Sequence, residues 1–177
     1  MEERECIMIR TLKLSDLDNM YEWMQDAEVT KNLQAPFASF TREKVKKFIE
    51  DSMKQTMESD NLNFAIVDET DEYMGTISLK NIDRKSKNAE YAIVTRAKAH
   101  GRGYAMEATK DIIQYGFETL GLEKIYLYVS VDNIRANKFY EKAGFVEEGV
   151  FRRHLMIGGE LTDIRWYAML RDEWSKG

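Results

Sequence analysis

Three polar side chains follow one another at helical spacing in the C-terminal third of the chain, namely Asn133, Asn137 and Tyr140. Residues three and four positions apart lie near one face of a helix, so two amides and a phenol would point the same way. A phenol held beside a leaving group can act as a general acid. The plainer alternatives are that Asn133 caps its helix and that Tyr140 packs in the core.

A glycine-rich segment, Lys98–Ala105, precedes this helix in the chain and lies between a predicted strand and a predicted helix. Two glycines in four residues allow a tight turn whose amides point inward, and the helix end adds unpaired donors. Such a turn suits a diphosphate, with Arg102 and His100 at its rim. A lone pair of glycines is more often a simple turn. The segment is neither a P-loop nor a dinucleotide fingerprint, because Met106 stands where a third glycine is needed.

Hydrophobic periodicity predicts the elements that would position these residues. The predicted order is β-α-α-β-β-β-α-β-α-β-β, a mixed α/β (α+β) domain whose mostly antiparallel central sheet is flanked by helices. The strands are expected at Cys6–Leu12, Asn63–Val67, Tyr73–Leu79, Ala89–Thr95, Ile125–Val131, Val146–Ile157 and Leu161–Leu170. The helices are expected after a cap at Ser15, from Thr41 to about Met57, at Tyr104–Leu120 and at Asn133–Ala143.

Composition restricts the class of protein. The 177 residues suit one domain over residues 1–177, since Pro36 is the only proline and no linker interrupts the chain. A net charge of −5 argues against nucleic-acid binding. No apolar run reaches the roughly 18 residues of a membrane helix. The single cysteine, Cys6, supports neither an internal disulfide nor a metal cluster, so we expect no metal and a cytoplasmic location.

Both segments resemble the signatures of the GNAT superfamily of acyl-CoA N-acyltransferases. The glycine signature Q/R-x-x-G-x-G/A is matched by Lys98–Gly103, with Lys98 replacing the usual Gln or Arg. The pattern N-x-x-A-x-x-x-Y-E-K-x-G-F is matched without a gap by Asn133–Phe145. The order of elements fits the family over essentially the whole chain. The segments Ile9–Leu12 and Ile157–Asp163 resemble the branch of ribosomal-protein N-terminal alanine acetyltransferases and spermidine acetyltransferases.

The resemblance implies acetyl-CoA as co-substrate and a role for each matching position. The pantetheine arm would pair with the main chain of Ile93, Val94 and Thr95, Asn133 and Asn137 would contact the CoA arm, and Tyr140 would protonate the thiolate. The pyrophosphate would lie on the backbone of the turn, formed by His100, Gly101, Arg102, Gly103, Tyr104 and Ala105.

An amine is mostly protonated near neutral pH, so direct attack on the thioester needs a base. Our candidate is Glu90, with a water chain as the alternative, and an exposed strand carboxylate is its plainer interpretation.

The resemblance leaves the acceptor open among a protein N-terminus, a polyamine, an amino sugar and another small amine. It implies contacts from the first helices, the loop Val29–Phe40 and the last hairpin. That region is rich in acids in spermidine acetyltransferases, whereas Leu33–Ala38 is neutral here, which disfavours a polyamine. Either an acceptor pocket or the core would fit Met20, Tyr21, Trp23 and Met24.

Dimers are common in this branch, so a homodimer is one expected state. The alternative function is a CoA-binding sensor or scaffold without catalysis. The presence of Tyr140 favours the enzyme.

Overall fold

The computed structural model describes residues 8–175, in which a seven-stranded sheet has the order β1-β2-β3-β4-β5-β7-β6. The strands are β1 (Ile9–Thr11), β2 (Leu62–Val67), β3 (Tyr73–Asp83), β4 (Asn88–Thr95), β5 (Lys124–Ser130), β6 (Val146–Ile157) and β7 (Glu160–Leu170). The helices are α1 (Leu17–Gln25), α2 (Ala27–Thr30), α3 (Arg42–Met53), α4 (Tyr104–Gln114), α5 (Ile134–Lys142) and α6 (Arg171–Trp174).

Neighbouring strands are antiparallel except β4 and β5, which are parallel. The predicted fold class, a mixed and mostly antiparallel sheet flanked by helices, is therefore confirmed. The structure adds the short helices α2 and α6 to the predicted elements. Cys6, where the first strand was predicted to begin, lies outside the described residues.

Helix ends follow the expected chemistry at two of three predicted caps. The Thr41 hydroxyl accepts a hydrogen bond from the Lys44 amide at 3.2 Å, and the Asn133 side chain accepts one from the Ala136 amide at 3.2 Å. The prediction for Ser15 was wrong, because residues Leu14–Asp16 form a 3-10 turn ahead of α1.

The helix predicted over Tyr104–Leu120 is α-helical only to Gln114 and continues as a π-helical turn, Tyr115–Thr119. Gly116 in this turn lies against β5, where an added Cβ would come within 2.8 Å of the Ile125 side chain. The wider turn therefore brings the end of the helix close to the sheet.

The core has two parts, one on each face of the sheet. One part gathers α1, α3 and alternate residues of β2, and it contains Met20, Trp23 and Met24, so these three side chains belong to the core and do not line the acceptor pocket. The other part packs α4 against the opposite face, with Ile66 and Ile112 fully buried there. This alternation of side chains fixes the register of the central strands.

Strands β4 and β5 pair over only three residues at their N-terminal ends. The pairs are Asn88 with Lys124, Ala89 with Ile125 and Glu90 with Tyr126. Beyond Glu90, β4 stays paired with β3 as far as Thr95, and β5 stays paired with β7 as far as Ser130. The two strands therefore diverge, and the sheet opens between them.

Candidate active site

The divergence of β4 and β5 creates a cleft of about 450 Å³. One wall is β4 and the turn that follows it, and the other is β5 with the first part of α5. In the open part of the cleft, the edge of β4 that faces β5 has no strand partner among residues 8–175. Such an edge offers main-chain donors and acceptors to an extended ligand. The predicted site residues that line the cleft are Glu90, Ile93, Val94, Thr95, His100, Ala105, Asn133 and Tyr140.

The glycine turn lies at one end of this cleft, ahead of α4. Gly101 and Gly103 have φ angles of +74° and +85°, which an L residue rarely adopts, while a Cβ at either position would meet nothing within 4 Å. Backbone conformation, and not space, therefore requires glycine at these positions. Within residues 8–175, the Gly103, Tyr104 and Ala105 amides have no carbonyl partner, as expected at a helix N-terminus. Gly101, Arg102, Gly103 and Tyr104 adjoin the cleft but do not line it.

A buried arginine that the sequence analysis missed anchors the turn. Arg96 is 5% exposed, and it donates to the Glu22 carboxylate at 3.0 Å, the Glu72 carboxylate at 2.9 Å and the Tyr73 carbonyl at 2.9 Å. Lys98 binds the same Glu72 at 2.8 Å. The residue that departs from the family signature thus holds the turn against β3, and its ammonium group binds a protein carboxylate.

His100 connects the turn to the helix on the other side of the cleft. Its Nδ1 lies 3.2 Å from Nη1 of Arg135 on α5. Burial, and then the positive charge of Arg135, lower the pKa of His100 below its usual value. The imidazole is therefore neutral near neutral pH and can accept a hydrogen bond from the guanidinium.

Tyr140 lines the cleft, and its ring belongs to an aromatic cluster. Its ring meets the rings of Tyr91 at 6.0 Å, Phe145 at 6.1 Å and Tyr167 at 6.2 Å between centroids. Burial raises the pKa of Tyr140 to about 12. No described residue forms a hydrogen bond with its hydroxyl. The phenol is therefore protonated and available to a bound ligand.

Asn137 is directed away from the cleft, into the protein. Its Nδ2 donates to the carbonyls of Ser130 at 2.9 Å and Asn133 at 2.8 Å. Its Oδ1 accepts from Arg165 at 3.0 Å and from the Tyr167 hydroxyl at 3.0 Å. Both amide hydrogens and both lone pairs are thereby used, and the residue is 4% exposed. This arrangement leaves the predicted CoA contact of Asn137 without a side-chain donor or acceptor.

Glu90 lies where β4 and β5 separate, and it is 7% exposed. Its Oε1 is 3.1 Å from Nζ of Lys80, its cross-strand neighbour on β3, and its Oε2 accepts from Nδ2 of Asn81 at 2.8 Å. Burial, and then the charge of Glu90, raise the pKa of Tyr128 on β5. Glu90 is therefore a paired, buried carboxylate and not an exposed one.

A group of apolar side chains forms part of the lining of the cleft. The loop predicted to contact the acceptor supplies some of them and the last hairpin supplies the others. These side chains are Val29, Leu33, Phe37, Leu155, Ile157 and Ile164.

The described part of the chain contains neither a candidate membrane span nor a candidate metal site. No helix between residues 8 and 175 is long and apolar enough to cross a membrane. The same residues contain no group of three or more histidine, cysteine or acidic side chains arranged to hold a metal ion.

Comparison with known proteins identifies the family. The family model described as Acetyltransferase (GNAT) domain matches residues 7–146. The chain is 30% identical over 173 residues to the uncharacterized N-acetyltransferase p20 of Bacillus licheniformis, covering 97% of this chain and 96% of p20. It is 27% identical over 171 residues to the spermidine N(1)-acetyltransferase of Vibrio cholerae serotype O1, covering 95% of each.

Solved structures agree with this assignment at the level of the fold. The spermidine N-acetyltransferase from Vibrio cholerae, crystallised in complex with CoA and spermine, superposes with a TM-score of 0.85 at 23% identity, covering 94% of this chain and 96% of that one. Together with the match to the family model, this means that the chain belongs to the GNAT family, as an acyl-CoA-dependent N-acyltransferase.

Proposed function

We propose that the protein, as a single domain over residues 1–177, transfers an acetyl group from acetyl-CoA to a primary amine by direct attack, with Tyr140 as general acid. The observation that carries the proposal is the divergence of β4 and β5 beyond Glu90, which puts an unpaired strand edge and the Tyr140 hydroxyl in one cleft. An extended pantetheine arm, which carries amides, matches the free edge at Ile93, Val94 and Thr95.

The turn from His100 to Ala105 supplies the other half of the donor site. The amides of Gly103, Tyr104 and Ala105 and the positive end of α4 suit the CoA pyrophosphate. Asn133, which lines the cleft, is the amide that we assign to the CoA arm. Asn137 then acts as a positioning residue, because its hydrogen bonds connect α5 to β5 and β7 and so fix where α5 presents Tyr140.

The reaction that we infer needs no covalent enzyme intermediate. The lone pair of the neutral amine forms a bond to the thioester carbonyl carbon, and the carbon–sulfur bond breaks. The departing thiolate takes its proton from Tyr140 Oη. The proton that the amine gives up passes to Glu90, directly or through a water chain.

The acceptor class at this level is a primary amine, which includes protein N-termini, polyamines, amino sugars and other small amines. Relatives that carry the name spermidine N(1)-acetyltransferase support a small amine. We place the reaction in the cytoplasm, where acetyl-CoA is available, without nucleic acid or membrane as a partner. A homodimer stays our expectation for its assembly.

The test is acetyl-CoA turnover over a panel of amines, amino sugars and peptides, followed by the release of free thiol, with calorimetry of acetyl-CoA binding alongside. We expect binding and turnover with at least one amine. Binding without turnover on any acceptor would favour the alternative function, a non-catalytic CoA-binding sensor or scaffold. Absence of binding would exclude both functions.

A further inference from the structure

We infer that the acceptor is a small monoamine with an apolar carbon skeleton, and not a polycationic amine. This inference deepens the proposed function and rests on it. It concerns the part of the cleft that is lined by the helix α2, the loop after it and the hairpin β6–β7.

Each of the two acids that line the cleft among the described residues has a lysine partner. Glu28 binds Lys31 at 2.6 Å, and Glu90 binds Lys80 at 3.1 Å. A carboxylate that is paired in this way contributes little attraction to another cation, because the two charges largely cancel at a distance. Lys80 itself lines the cleft and occupies the position beside Glu90 that a second ammonium group of a polyamine would need.

The basic side chains that line the cleft also disfavour a polyamine. Lys80 and Arg135 line it in addition to the two acids, so that its formal charge among the described residues is zero before His100 is counted. Since a polyamine carries two or more positive charges near neutral pH, it would lose hydration on entering without gaining an unpaired carboxylate.

The apolar part of the lining favours a ligand with an apolar carbon skeleton. The apolar side chains of the lining include Val29, Leu33, Phe37, Leu155, Ile157 and Ile164, and Ile164 is fully buried. Removal of the acceptor's carbon skeleton from water by such walls favours binding. Apolar surroundings also disfavour the ammonium form, which lowers the pKa of a bound amine and raises the share of the neutral nucleophile.

The experiment compares kcat/KM for phenethylamine, spermidine and glucosamine at saturating acetyl-CoA, with free thiol as the readout. We expect phenethylamine to exceed each of the others by about ten-fold or more. A higher value for spermidine or glucosamine overturns the inference and leaves the proposed function intact. Turnover of none of these three amines, by a protein that acetylates another acceptor of the wider panel, overturns the inference and leaves the proposed function intact. Turnover of no acceptor of that panel overturns the inference together with the enzymatic proposal.

Two variants test whether these walls set the preference. Gln34→Glu adds one unpaired carboxylate at an exposed lining position without changing side-chain shape. It should raise the ratio of kcat/KM for spermidine over phenethylamine about two- to five-fold, whereas the matched control Gln34→Ala should not. Ile157→Ala removes apolar surface and should lower the ratio for phenethylamine over methylamine by about ten-fold. Ratios that stay at the wild-type value in both variants overturn the assignment of these walls to the acceptor.

Discussion

The rings of Tyr91 on β4 and Tyr140 on α5 meet edge to face, with centroids 6.0 Å apart and planes at 88°. The Tyr91 hydroxyl lies 2.7 Å from the Thr109 hydroxyl of α4, so it is engaged on the far side of the ring. The contact therefore connects both walls of the cleft through two phenols, of which only Tyr140 keeps its hydroxyl for a ligand. The packing of the Tyr140 ring and the chemistry of its oxygen can be separated by experiment.

Replacing Tyr140 by Phe should slow turnover and leave the structure unchanged. The ring contacts persist while the proton donor is lost, so kcat should fall about 100-fold or more, with acetyl-CoA affinity within about three-fold of wild type. Thiol release and calorimetry measure the two quantities. Tyr115→Phe, at a half-buried tyrosine that packs against Phe64 outside the cleft, is the matched control and should keep full activity. Loss of cofactor binding in Tyr140→Phe would instead assign Tyr140 a structural role.

The pH profile should carry no signature of Tyr140 ionisation in the ordinary range. Burial disfavours the phenolate and raises the pKa of Tyr140 to about 12, so the phenol keeps its proton several pH units above neutrality. We expect kcat/KM for an amine to rise with pH as the free amine deprotonates, with no decline up to about pH 10. Initial rates in overlapping buffers test this. A decline between about pH 8 and pH 10 in a protein that stays folded by circular dichroism would contradict the role of Tyr140 as acid.

Replacing Asn137 by Ala should cost more stability than replacing Asn133 by Ala. The first change removes four hydrogen bonds, two buried and two partly buried, and leaves the Ser130 carbonyl and the Tyr167 hydroxyl with fewer partners, for a loss of about 2–4 kcal/mol. The second removes a helix cap, worth about 1 kcal/mol. Urea unfolding measures both changes. Equal losses would mean that the Asn137 network adds nothing beyond a cap.

Replacing Gly103 by Ala should weaken acetyl-CoA binding through the backbone alone. An alanine at φ +85° is strained by about 1 kcal/mol, although the added methyl meets nothing within 4 Å. Relief of this strain would turn the amides ahead of α4 away from the pyrophosphate, so we expect affinity to fall about ten-fold.

Gly121→Ala is the matched control for that variant. Gly121 has φ +69°, and a Cβ there also meets nothing within 4 Å, but it lies outside the cleft. Thermal unfolding should show similar losses of stability for both variants, and calorimetry should show weaker binding for Gly103→Ala alone. Equal affinities in both variants would contradict the assignment of the turn to the pyrophosphate.

Local patterns were enough to predict the fold class and several helix ends. Thr41 and Asn133 act through their nearest neighbours along the chain, and alternation along β2 fixes which residues enter each half of the core. Such information is contained within a few residues of sequence. The pair of signatures around Gly103 and Tyr140 likewise led to the family, which the comparisons confirm.

The interactions that set the chemistry of the cleft depend on register, which a single sequence does not display. The strand that starts at Tyr73 was predicted to end at Leu79, whereas β3 continues to Asp83 and brings Lys80 opposite Glu90. Arg96 finds Glu22, which is 74 positions away, only once α1 is packed on the sheet. Asn137 looks like a ligand contact by its spacing, yet its partners Arg165 and Tyr167 come from a strand that follows much later.

The three pairs that join β4 to β5 also have a mechanical meaning. They join two groups of strands, β1–β4 and β5–β7, at one end of the sheet. An extended molecule that is hydrogen-bonded to the edge of β4 and packed against β5 would bridge the two groups of strands and reduce their relative motion. Binding of a ligand in the cleft should then slow amide hydrogen exchange in the C-terminal halves of β4 and β5, with little change at Ala89 and Ile125.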